Sequence, residues 1–95
     1  MPTLQIQHKT HDFDTWKQSF DSDPIGREQG GVRSYRILRG TDDPNYVVIE
    51  LEFDSTGEAE SFAAKLRELW SRMGDELGLE SPQGRILDTV ETGEH

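Results

Sequence analysis

The chain has 95 residues, and its 10 Lys and Arg against 19 Asp and Glu give a net charge of −9 with the histidines neutral. That balance excludes a nucleic-acid binder, which must present clustered cations to phosphates, and disfavours docking on an anionic membrane. The absence of cysteine excludes disulfides, thiolate nucleophiles, zinc fingers and iron–sulfur clusters.

No apolar run approaches the ~18 residues of a membrane span, and Met1-Pro2-Thr3 lacks the basic-then-apolar pattern of a secretory leader. One cytoplasmic domain over residues 1–95 is the expectation, with 92–95 a frayed tail. Hydrophobic residues make up 32% of the chain, against roughly 45–50% apolar residues, glycine included, in an ordinary globular domain. They must be placed efficiently, or a partner must help.

The first strand is read over Thr3–His8, with Leu4, Ile6 and His8 on one face and Thr3, Gln5 and Gln7 on the other. A helix follows, capped by Asp12, with Phe13, Trp16, Lys17 and Phe20 on one stripe. Pro24 limits it, because the residue before a proline is pushed out of the α region. A short turn over Ile25–Gln29 leads to the Gly30-Gly31 break.

Strands over Val32–Arg39 and Val47–Phe53 are joined by the turn-forming Gly40–Asn45 stretch into a hairpin. Ser55 and Glu58 have capping-box spacing ahead of a second helix, whose stripe is Ala59, Phe62, Ala63, Leu66, Leu69, Trp70 and Met73, with Gly74 placed to end it. Asp75–Gln83, holding Gly78 and Pro82, reads as irregular, and Arg85–Glu91 supplies the last strand. The order β-α-β-β-α-β predicts an α+β, ferredoxin-like fold: a four-stranded antiparallel sheet with both helices on one face. Nothing remains to cover the other face, where Gln5, Gln7, Val48 and Glu50 fall, so self-pairing into a homodimer is expected. Alternation leaves open which faces of strands 32–39 and 85–91 point inward.

These residues also carry a family likeness. The strand ending in His8, the Asp12-Phe13-Asp14-x-Trp16-Lys17 helix start, the Gly31-Val32-x-Ser34-Tyr35-x-Ile37 strand, the Asp43-Pro44-Asn45 turn and the strand end at Phe53 resemble the small dimeric α+β-barrel proteins. The likeness covers residues 3–91 and lies near the antibiotic-biosynthesis-monooxygenase and polyketide-cyclase-like groups. It implies two sheets packed face to face in a dimeric barrel, with a ligand cavity in each protomer between sheet and helices. It further implies a cofactor-independent monooxygenase or a cyclase/isomerase, or a non-catalytic ligand-binding or accessory protein on the same scaffold. Oxygenases of the superfamily use an asparagine and a tryptophan near the cavity; here the one asparagine, Asn45, falls in the hairpin turn.

His8 continues the Leu4 and Ile6 face, where it is either a general acid/base at the cavity or a histidine tied to backbone at the strand end. Trp16, Phe20, Phe62 and Trp70 are either plain core or the walls of a pocket for a small apolar or aromatic molecule. Tyr35 is a further candidate to orient a hydroxyl or carbonyl. Asp88 is a buried carboxylate if it shares an inner face with Ile86, and a surface one otherwise. His8, His11, Asp12 and Asp14 lie within seven residues, but without a third well-spaced histidine they call for no metal, and no cofactor is expected.

Overall fold

In a computed structural model of the protein, residues 1–23, 26–73 and 79–95 are described, the side chain of Ser81 aside. The elements are β1 (Pro2–Thr10), α1 (Phe13–Asp21), β2 (Ser34–Arg39), β3 (Tyr46–Glu52), α2 (Thr56–Met73) and β4 (Leu79–Asp88). They form one antiparallel sheet in the order β2-β3-β1-β4. This is the ferredoxin-like α+β fold that the element order predicts. The helix limit at Pro24 and the cap at Gly74 lie outside the described residues.

Register assigns the two faces. Leu4 pairs with Leu51 and Ile86, and Ile6 pairs with Ile49 and Gly84, so these residues share the helix-facing side. The hairpin register adds Tyr35 opposite Leu51 and Ile37 opposite Ile49. Leu4, Val47, Leu51 and Phe53 are almost fully buried, and each such side chain contributes about 1.5–3 kcal/mol of transfer free energy. Trp16 of α1 and Ala59, Phe62 and Ala63 of α2 close the same core.

The open face runs in three cross-strand rows. Leu38, Val48, Gln7 and Gln83 form one; Arg36, Glu50, Gln5 and Arg85 the next; Ser34, Glu52, Thr3 and Leu87 the last. Arg36 pairs with Glu50 at 2.7 Å, and the Tyr46 hydroxyl donates to Gln7 at 2.9 Å. The face therefore mixes apolar side chains with paired charges.

The last strand differs most from the sequence reading. β4 begins at Leu79 rather than Arg85, taking in much of the stretch expected to be irregular, and stops at Asp88 rather than Glu91. Its register slips by one residue between the Gln7–Gln83 and Lys9–Glu80 pairs. A bulge on an edge strand tolerates Pro82, since edge positions need no donor to a further neighbour. The strand ends where its partner does, because Asp88 already pairs with Pro2. β2 likewise starts two residues late, the Val32 N–H being spent on the Arg27 carbonyl in the preceding turn.

Candidate functional site

Local chemistry at the β1–α1 junction fixes the direction of α1. The Asp12 carboxylate accepts from the Thr15 hydroxyl at 2.7 Å and from the Thr15 N–H at 3.1 Å, capping the helix. These bonds hold its carboxyl below the usual carboxylate range. Asn45 pins the junction from the hairpin: its side-chain oxygen accepts the Phe13 N–H at 3.2 Å, and its carbonyl accepts the Thr10 N–H at 2.8 Å. Asn45 is thus occupied as a staple between the hairpin and the helix start.

With α1 so directed, Trp16 and Phe20 come down one helix turn apart over the inner face of the sheet. His8 meets Trp16 edge-on with ring centroids 5.5 Å apart, Trp16 meets Phe20 at 5.4 Å, and Phe20 meets Tyr35 edge-on at 5.3 Å. From the other side α2 brings Phe62, Leu66, Leu69 and Trp70, set by the capping box in which Ser55 Oγ accepts the Glu58 N–H at 3.2 Å. Between the helices and the sheet lies a cavity of about 100 Å³. This is of the order of the apolar cavities that admit a benzene-sized ring. Its floor is Ile6, Ile49 and Leu51, and Leu79 closes one side.

Of the residues singled out from sequence, His8, Trp16, Phe20, Phe62 and Trp70 all line this cavity. Tyr35 stands one row further out, behind Phe20, and is half exposed. Met73, at the end of α2, is exposed rather than inward. Asp88 lies in register with Pro2 at the end of the sheet and is exposed, as are His11, Asp12 and Asp14. Among the described residues no group of three His, Asp or Glu side chains could hold a metal ion.

His8 is 5% exposed, and its Nδ1 is buried with no hydrogen-bond partner among the described residues. Burial pushes its imidazolium pKa down to about 4, against a smaller opposing effect of the Lys9 backbone. At neutral pH the ring is therefore uncharged, with one nitrogen able to accept and the other to donate.

Two polar residues of the cavity have no signature in the sequence pattern. Asp23 has left-handed backbone (φ 54°), and its carboxylate accepts the Arg27 N–H at 2.9 Å. Arg27 then folds back over the cavity: its guanidinium carbon lies 3.8 Å from the Phe20 ring centroid and its Nε lies 3.4 Å from Asp23 Oδ1. Arg27 Nη1 is buried without a partner among the described residues. Ser19 completes the polar edge.

No family model matches the chain, and no curated protein matches it either. Solved structures do. A protein of Deinococcus radiodurans described as a candidate antibiotic biosynthesis monooxygenase superposes with a TM-score of 0.74 at 12% identity, covering 100% of this chain and 98% of its own. SnoaB of Streptomyces nogalater, a cofactor-independent oxygenase, gives a TM-score of 0.72 at 14% identity over 96% of this chain and 94% of that one. A dimeric ferredoxin-like protein from an uncultured marine organism gives 0.61 at 13% identity, covering 97% of each chain. End-to-end coverage at such identities is agreement of architecture, and this chain has the ferredoxin-like α+β fold of the antibiotic biosynthesis monooxygenase-like proteins.

Proposed function

We propose that the protein is a homodimer whose protomers each bind a small, flat, largely aromatic molecule between sheet and helices, and turn it over as a cofactor-independent monooxygenase. The observation that carries this reading is His8, an uncharged imidazole whose buried Nδ1 has no hydrogen-bond partner among the described residues, in the wall of a cavity lined mainly by aromatic and aliphatic side chains. An unpaired buried polar atom costs about 1–3 kcal/mol, a loss that a bound hydroxyl or carbonyl removes. The fold shared with a cofactor-independent oxygenase supports the choice of reaction.

In that reaction an activated ring CH₂ and O₂ become a ring carbonyl and water, the substrate itself supplying the electrons. The protein's task is to help the substrate's proton leave. Neutral His8 accepts it poorly while the site is empty, but an oxyanion or enolate forming beside the ring raises the imidazolium pKa as the charge develops. Trp16, Phe20, Phe62 and Trp70 hold the ring plane and keep water away, and Tyr35 acts through Phe20 by fixing its edge. The same groups serve a cyclase or isomerase, in which the proton is moved and returned.

Asn45 favours a second reading, a non-catalytic ligand-binding protein. The asparagine that the resemblance associates with oxygenase cavities is here engaged at the β1–α1 junction. Oxygen uptake with a panel of planar phenols and ring ketones, without flavin or added metal, separates the two. Turnover should fall 10²- to 10⁴-fold in His8→Ala while ligand still binds. Unchanged turnover in that variant removes His8 from the chemistry, and binding without turnover by the wild-type protein supports the second reading.

A further inference from the structure

Two side-chain nitrogens among the described residues are buried without a partner, His8 Nδ1 and Arg27 Nη1, and both residues line the same cavity. They bracket a row of rings: His8 against Trp16 at 5.5 Å, Trp16 against Phe20 at 5.4 Å, and the Arg27 guanidinium 3.8 Å from Phe20. His8 is the deeper end, at 5% exposure, and Arg27 the shallower, its side chain 19% exposed.

Arg27 is held for this position. Asp23 engages its backbone N–H and its Nε, and Phe20 and Tyr35 lie against the guanidinium, while Nη1 is buried without an acceptor among the described residues in a side chain that lines the cavity. A guanidinium fixed by stacking and by one carboxylate has lost most of its freedom before a ligand arrives, and guanidinium N–H groups match planar carboxylate oxygens. Resting on the cavity reading above, we infer that the ligand is a small aromatic acid: its carboxylate on Arg27, its ring along Trp16 and Phe20, and a hydroxyl or carbonyl oxygen at the far end on His8. Arg27 is then the residue that selects acids over neutral rings of the same shape.

The test uses 4-hydroxybenzoate, which has an oxygen at each end of one ring, and its neutral isostere 4-hydroxybenzamide. Affinities are read from the indole N–H signals of the two tryptophans in ¹H–¹⁵N spectra of the whole chain. The acid should bind at least ten-fold more tightly than the amide. Arg27→Gln should bring the acid to the affinity of the amide, and Arg27→Lys should keep part of the preference. Equal affinity for acid and amide in the wild-type protein overturns the role of Arg27 and leaves the cavity reading standing. An acid preference that survives Arg27→Gln in a folded variant overturns it as well, as does an acid preference lost equally in Arg27→Lys. Failure of both ligands to move the indole signals at millimolar concentration contradicts the cavity reading, and this inference falls with it.

Discussion

His8 sits where charging an imidazole is costly, and that cost appears in stability before it appears in any reaction. Folding lowers its pKa from 6.5 to about 4, so between those values the unfolded chain binds more protons than the native one. Stability therefore rises with pH across this window and is lost as pH falls through it, the penalty becoming constant below about 4. At pH 5 the difference is about 2 kcal/mol. Urea unfolding at pH 7 and pH 5 should show wild type losing about that much more than a His8→Leu variant; equal losses would mean that His8 charges freely in the fold. The position of His8 was legible because a strand alternates strictly, and Leu4 and Ile6 declare its inner face. Arg27 was not legible: its direction comes from a left-handed turn at Asp23, and no periodic pattern records a turn.

Between elements, the loop from α1 to β2 must lie close to α2 for the cavity wall to close, and Gly30 is where the two meet. A methyl group there would come within 2.6 Å of the Phe62 ring and 3.2 Å of the Gly26 carbonyl oxygen. Phe62 is 3% exposed and packs on Phe53, so it has little room to yield. Gly30→Ala should destabilise the protein by about 1–3 kcal/mol, as overpacking of a filled core does. Gly93→Ala, with nothing within 4 Å, is the control and should leave the denaturation midpoint unchanged; a silent Gly30→Ala would mean that the loop stands off from the helix. Helices and hairpin were readable from caps, stripes and turn formers. β4 was not, because Pro82 and Gly84 break the alternation that marks a strand. Both have reasons visible only in the sheet: Pro82 lies by an edge bulge, and Gly84 lies opposite Ile6 with the Trp70 ring 3.7 Å from where its Cβ would be.

For the whole molecule, the modest hydrophobic content now has a location. The buried apolar residues belong to one sheet face and two helix stripes, while the opposite face has Leu38, Val48 and Leu87 set among Arg36, Glu50 and Arg85. Two such faces related by a two-fold axis can exchange Arg–Glu pairs and bury the apolar positions together. Light scattering at micromolar concentration should give the mass of two chains, and Val48→Glu, which adds a charge beside Glu50, should give one; a wild-type monomer would contradict the dimer.

Among the described residues no helix is long and apolar enough to cross a membrane, and the acidic balance says little of the ligand, because the cavity is walled mainly by rings and aliphatic side chains, with His8, Ser19, Asp23 and Arg27 as its polar groups. The chain's only two tryptophans, Trp16 and Trp70, both line the cavity, from opposite helices. Titration with 4-hydroxybenzamide, which has no carboxylate for Arg27 to pair with, should move both indole N–H signals along saturating curves with one shared dissociation constant. Signals that stay fixed, or that move without saturating or with two unrelated constants, would contradict a common binding cavity between the helices.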